Sequence, residues 1–320
     1  MSSVIEHRGA APQARRSLFV TGEFPRRRIL IAAFGVLGGL LLAYLWTPTL
    51  VDDQIGFNTA NTLLGRNVES SPVGGIASGI LFAFVTGLAG SFTACNIVCF
   101  GAVGPMLGEG SRLQSLRASL RPLSWVAVGM IPVSAVYGAL VGLVGTRMPQ
   151  FSSASGHGLS PRAIQSMIAF GVVGIVMIVL GLAAVGVLPD PLGPLSRRFP
   201  NAPLVLLGAL IGGFLIGRPY PLFHELFQSA ANSHNPLYGA AAFTLQSLGN
   251  IVVMGLFFLV LSVLFGRRVR AWFAADPSRI SALTSISFLV AGLFSVAYWD
   301  LRTLSQVGYF WFPSSHLTFL

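Results

Sequence analysis

Long apolar runs alternate with short arginine-bearing segments along this chain. The runs cover 29–49, 74–107, 123–146, 163–189, 203–223, 237–266 and 281–299, and only the fifth holds a charge, Arg218. About 20 apolar residues suffice for a helix to cross the hydrocarbon core of a membrane. The pattern therefore predicts an all-α membrane protein with about seven transmembrane helices. The first run is too long and too late for a signal peptide and reads as a retained helix.

The remaining six runs divide into two halves, 74–189 and 203–299, separated by the helix-breaking linker Pro189-Asp190-Pro191-Leu192-Gly193-Pro194. Three helices per half send the halves into the membrane from opposite sides. The prediction is thus one additional helix plus a six-helix core of two inverted three-helix repeats. In each half the first helix is abnormal. Residues 74–107 would make a straight helix of about 51 Å, well beyond a core of about 30 Å, and Gly87, Gly90 and Pro105 offer breaks. Its counterpart is interrupted by Gly217-Arg218-Pro219-Tyr220-Pro221. Interrupted helices at matching places in two halves point to a functional centre. Most glycines read more simply as close-packing positions, with small-xxx-small spacing at Gly75/Gly79, Gly138/Gly142, Gly208/Gly212 and Gly213/Gly217.

Composition agrees. Of 320 residues, 53% are hydrophobic and 9% charged, against about 25% charged in soluble domains; mean hydropathy is +0.74. The net charge of +10 comes from arginine alone, without lysine. Fifteen arginines fall on one side of a seven-helix weave and five on the other. They read as topology signals placing the N-terminus in the cytoplasm and the C-terminus outside, and not as a nucleic-acid site. Residues 1–28 form a basic cytoplasmic tail suited to anionic lipid headgroups, 29–49 the added helix, and 300–320 an outer C-terminal tail. Nothing resembles a nucleophile–base–acid set or a phosphate-binding glycine loop, and no cofactor is implied.

Candidate chemistry centres on Cys95 and Cys99, which lie in the uncharged second run beside Ser91, Thr93 and Asn96. Two cysteines are too few for a disulfide framework. At i and i+4 they share one helix face, about 6 Å apart at Cα, and a disulfide between them requires local unwinding. Buried thiols are often inert packing residues; exchange chemistry requires thiolate and access. The pair is also suited to a soft metal ion, yet two thiolates do not complete a zinc site. His224, Glu225 and His234 read as loop residues, so no metal site is expected. Gln246 and Asn250 share a face of the sixth run, and Trp299, Tyr309, Phe310, Trp311 and Phe312 read as an outer interfacial belt.

The stretch Phe84-Val85-Thr86-Gly87-Leu88-Ala89-Gly90-Ser91-Phe92-Thr93-Ala94-Cys95 resembles the first-helix motif of the CcdA/DsbD transmembrane family, F-x-x-G-x-x-x-S-F-x-S-P-C. Gly217-Arg218-Pro219-Tyr220-Pro221 resembles its second-half partner, G-x-x-P-C-x-G-P, and Phe243–Gly249 the following helix. The resemblance covers 74–299 and extends to a MauF-like, methylamine-utilisation type of member. It implies thiol–disulfide electron transfer across the membrane, with a cytoplasmic thioredoxin-like donor and an exported thiol-containing client, as in cytochrome c biogenesis. Cys95 matches the first family cysteine. Tyr220 stands where the second belongs, and Ala94 replaces the first motif's proline, whereas Pro219 is kept. Cys99 is then the candidate resolving thiol, with Ser91, Asn96, Pro219, Tyr220 and Gln246 in support. The expected function is thiol-redox or maturation support for an exported protein such as a c-type cytochrome or a methylamine-dehydrogenase-like enzyme. A carrier of a small solute or soft metal ion and a non-catalytic assembly scaffold are the alternatives.

Overall fold

The computed structural model describes residues 17–46, 57–65, 76–89, 112–152, 158–217, 221–309 and 311–313, and these are helical with no strand among them. The helices are α1 (Arg28–Leu45), α2 (Asn58–Leu64), α3 (Ile76–Ala89), α4 (Arg112–Val144), α5 (Pro161–Ala184), α6 (Gly193–Arg198), α7 (Ala202–Gly217), α8 (Pro221–Asn232), α9 (Pro236–Ala275), α10 (Ser278–Ser295) and α11 (Arg302–Gln306). A π-helical turn, Val296–Leu301, joins the last two. Among the described residues five segments, within α1, α4, α5, α9 and the continuous α10–α11 rod, are long and apolar enough to cross a membrane; α7 and the described part of α3 are shorter apolar helices.

Many large apolar side chains are exposed on this bundle. Ile29, Phe34, Leu37 and Leu41 of α1 are exposed, as are Val136 and Leu143 of α4, Ile168 and Val172 of α5 and Leu256 of α9. Water-soluble chains rarely expose contiguous apolar patches of this kind, and hydrocarbon is the solvent that fits them.

Between helices in lipid the driving force is close packing, which small residues permit. The glycines occupy the crossings. A Cβ at Gly129 of α4 would lie 1.9 Å from the Val205 carbonyl oxygen of α7, and one at Gly208 would lie 1.9 Å from that of Val126. At the α3–α9 crossing, a Cβ at Gly87 would lie 2.0 Å from the Gln246 oxygen and one at Gly249 2.3 Å from that of Phe84. Gly138 meets Gly239 where α4 crosses α9, and Gly174 meets Gly292 where α5 crosses α10. Gly35 and Gly39 seat α1 against Leu289 and Leu293 of α10. Residue numbers rise together along α3 and α9 and along α4 and α7, so those pairs run parallel. They run oppositely along α4 and α9 and along α5 and α10.

Two features depart from the sequence reading. The last run does not stop at Trp299: the rod continues to Gln306 and carries Asp300 with it, inside what was read as the outer tail. The end of the basic tail is also not free. Ser17 donates its backbone N–H and hydroxyl to the Asp190 carboxylate at 2.7 and 3.0 Å. Thr21 and Ser281 hydroxyls meet at 2.7 Å, and Ser281 donates to the Glu23 carbonyl at 2.9 Å. Phe19, 3% exposed, packs edge-on against Phe288 at 5.1 Å within the cluster of Leu180, Leu192 and Leu204. Residues 17–24 thus form a strap across the ends of α5 and α10, which the basic, Pro- and Gly-containing composition of 1–28 conceals. Phe19→Ala is expected to lower stability by about 3 kcal/mol, the cost of emptying a buried phenyl site, read as a lower midpoint of unfolding in detergent.

The connection between α9 and α10 is set by Asp276, which accepts the Ser278 N–H at 3.0 Å. Hydrogen bonds from Ser278 hold its carboxyl below the ordinary range. Arg279 donates to the Trp272 carbonyl at 2.7 Å and lies over that indole at 4.9 Å.

Candidate functional site

The described part of α7 reaches Gly217, and α8 is described from Pro221; Arg218, Pro219 and Tyr220, where the interruption is expected, lie outside the described residues. Two carbonyls at this end of α7 accept hydrogen bonds from side chains of the other half. Gln165 of α5 donates to the Ile216 carbonyl at 2.6 Å and to the Tyr137 hydroxyl at 2.7 Å. Ser166 donates to the Gly217 carbonyl. Tyr137 of α4 donates in turn to the Gln150 side-chain oxygen. The Gln150 amide nitrogen is buried without a hydrogen-bond partner.

This network is what sequence reasoning missed. Its signal was available as the polar positions Tyr137, Gln165 and Ser166 inside otherwise apolar runs. In hydrocarbon each such group needs a partner, and here the partners include the Ile216 and Gly217 carbonyls of α7. Gln165→Leu removes the 2.6 Å bond to the Ile216 carbonyl and should destabilise the protein by about 2 kcal/mol. A thermal unfolding comparison in detergent checks this.

In the first half, α3 runs beside α9 up to Ala89, and the glycine contacts place Gly87 against the backbone of Gln246. Gln246 is 3% exposed, and its side-chain oxygen has no hydrogen-bond partner among the described residues. Asn250, one turn on, is also buried, and Ser247 donates to Ser134 at 2.6 Å across the α4–α9 crossing. A buried polar atom without a partner is rare and asks for one. Gln246 is the one described member of the sequence-derived site, buried on α9 with its backbone against Gly87 of α3. Ser91, Cys95, Asn96, Cys99, Pro219 and Tyr220 lie outside the described residues.

His224 and Glu225 stand on α8, not in a loop, with the His224 ring 5.8 Å from that of Phe151. His234 is exposed, and its ring nitrogen lies 3.0 Å from the Asn232 carbonyl. Among the described residues no three His, Cys, Asp or Glu side chains gather as metal ligands. Of the outer aromatic belt, Tyr309 and Trp311 are exposed. Trp299 instead stacks on Phe170 at 4.4 Å with an 8° interplanar angle. The next residue, Asp300, has its carboxylate against Gly171, whose Cβ would lie 3.2 Å from the oxygen. π-helical turns often occur at functional sites, and a carboxylate on a membrane-crossing helix is uncommon. Neither was visible while the run ended at 299.

No family model matches this chain, and no curated protein or solved structure is significantly similar to it.

Proposed function

We propose that this chain is an inner-membrane thiol-redox or maturation protein that supports an exported client. Its centre is Cys95 and Cys99 in the first half's leading apolar run. The observation that carries this reading is the pairing of the glycine crossings. Gly87 of α3 and Gly208 of α7 take equivalent contacts, as do Gly249 of α9 and Gly129 of α4, and Gly174 and Gly292 meet each other. Along the chain these pairs are offset by 121, 120 and 118 residues. A nearly constant offset between equivalent contacts supports two three-helix repeats. The opposed directions of α4 against α9 and of α5 against α10 support their inversion. With α1 added, the core has seven helices, the N-terminus in the cytoplasm and the C-terminus outside.

In such an architecture irregular backbone lies where it lines a cavity. Gln165 and Ser166 bind the Ile216 and Gly217 carbonyls, next to the sequence Arg218-Pro219-Tyr220, and the buried Gln246 adds an acceptor without a partner among the described residues. These features suit a thiol pair exchanging with soluble partners on both faces. A cytoplasmic dithiol donates two electrons: its thiolate attacks the Cys95–Cys99 disulfide, its second thiol resolves the mixed disulfide, and two thiols remain on the chain. The Cys95 thiolate then attacks the client's disulfide, and Cys99 displaces the reduced client as Cys95–Cys99 re-forms. The test is oxidation of purified protein with a soluble disulfide followed by addition of reduced thioredoxin. Two maleimide-reactive thiols should be lost and then regained together. If no intramolecular disulfide forms under oxidant, the reading fails.

A further inference from the structure

A groove of about 720 Å³ runs along the outside of the bundle between α5 and α7. Its walls are Ile164, Ile168 and Val172 on one side and Ala209, Gly213 and Ile216 on the other. Ile168 and Val172 are 63% and 57% exposed, so the groove opens sideways, into hydrocarbon once the chain is in a membrane. Gln165 is the single polar side chain of the lining, and both its amide hydrogens are committed, to Tyr137 and Ile216. The walls therefore present almost nothing that a polar solute can bond.

One end of the groove differs. It is closed by Pro149 and Pro161, which stand at the turn between α4 and α5. Arg147 lies two positions before the first proline and Arg162 directly after the second. Arg147 is exposed and makes no ion pair among the described residues. Two arginines within two residues of lining prolines complement a phosphodiester joined to an alkyl chain, since arginine matches phosphate oxygens in a planar fork. The level also fits, because arginines at helix ends lie with the headgroups.

We propose that this groove is a phospholipid site: one acyl chain lies between α5 and α7, and the phosphate sits at Arg147 and Arg162. The proposal rests on the membrane placement of the chain and not on its thiol chemistry. Transfer of an acyl chain from bilayer to groove removes no apolar surface from water, so retention depends on packing in the slot and on the two arginines. Each can be removed separately. A Cβ at Gly213 meets only Val173, at 3.4 Å, so a large side chain there extends into the groove without forcing the helices apart.

The experiment purifies the full chain in detergent with prolonged exchange and measures lipid phosphorus per protein, with native mass spectrometry identifying the retained molecule. One phospholipid per wild-type chain is expected. Gly213→Trp should reduce retention about tenfold, and the Arg147→Gln, Arg162→Gln pair by about the same factor, each factor of ten equalling about 1.4 kcal/mol of binding. If Gly213→Trp does not fold, Val172→Trp, which fills the groove from its exposed side, is read instead. Retention unchanged by filling the groove would overturn the proposal, as would a phosphate-free isoprenoid in place of a phospholipid, or no retained lipid at all. Cys95 and Cys99 are untouched in every variant, so failure here leaves the thiol reading standing, and the reverse also holds.

Discussion

Gly208→Leu is expected to abolish recovery of the folded protein. At this crossing the backbones of α4 and α7 touch. A Cβ at position 208 would lie 1.9 Å from the Val126 carbonyl oxygen and 3.0 Å from the Met130 nitrogen. Both obstacles are backbone, so no rotamer change relieves them. The helices must separate by more than 1 Å, which also opens the reciprocal contact at Gly129. Overpacking of interiors commonly costs 1–3 kcal/mol, and a backbone clash repeated at two reciprocal points belongs at about 3 kcal/mol or above. Leu207, Leu210 and Ile211 on the same helix are core residues and would lose their packing with it. The control is Gly213→Ala, where the nearest neighbour is a methyl group at 3.4 Å; it should leave stability within about 0.5 kcal/mol. Fluorescence-detected size-exclusion of tagged variants reads both. A monodisperse Gly208→Leu peak at wild-type yield would contradict the packing account.

Cys99→Ser should trap a covalent complex that the wild type does not accumulate. If Cys95 is the attacking thiol and Cys99 the resolving one, removing Cys99 leaves the Cys95–client mixed disulfide with no intramolecular thiol to break it. Cys95→Ser should form no such adduct, and in both variants delivery of electrons to exported thiols should fall by about two orders of magnitude, as for other residues that act as a unit. Non-reducing gels of acid-trapped membranes, with the adduct identified by mass spectrometry, read the first effect. Equal behaviour of the two single variants would contradict the division of roles, and full activity of both would remove the thiols from the mechanism.

The sequence read the helices well because lipid imposes a simple rule: apolar runs of sufficient length become helices, and their arginine-bearing connections mark the ends. The five longest spans follow the runs to within a few residues at most of their ends. Glycine spacing was legible for the same reason, as Gly138/Gly142 and Gly208/Gly212 each line one contact. The breakdowns occur where side chains recruit distant backbone. The strap at 17–24 depends on Asp190, 173 residues from Ser17, and no local pattern announces such a bond. Gln165 and Ser166 stand as isolated polar residues in an apolar run, and the carbonyls of α7 they bind lie 51 residues away. A π-helical turn carries the last rod past Trp299 and brings Asp300 against Gly171; hydropathy stops at the charge and so misses it. Of the candidate site, the burial of Gln246 was readable from its place in the sixth run, but its unpaired oxygen was not.

The most direct test of the central claim is the in-cell redox state of Cys95 and Cys99, taken by acid trapping and maleimide mass tagging in wild type and in each single Cys→Ser variant, with and without cytoplasmic thioredoxin. The account predicts an intramolecular disulfide that accumulates when thioredoxin is absent and disappears when it is restored. Two thiols that remain reduced in every background would contradict it.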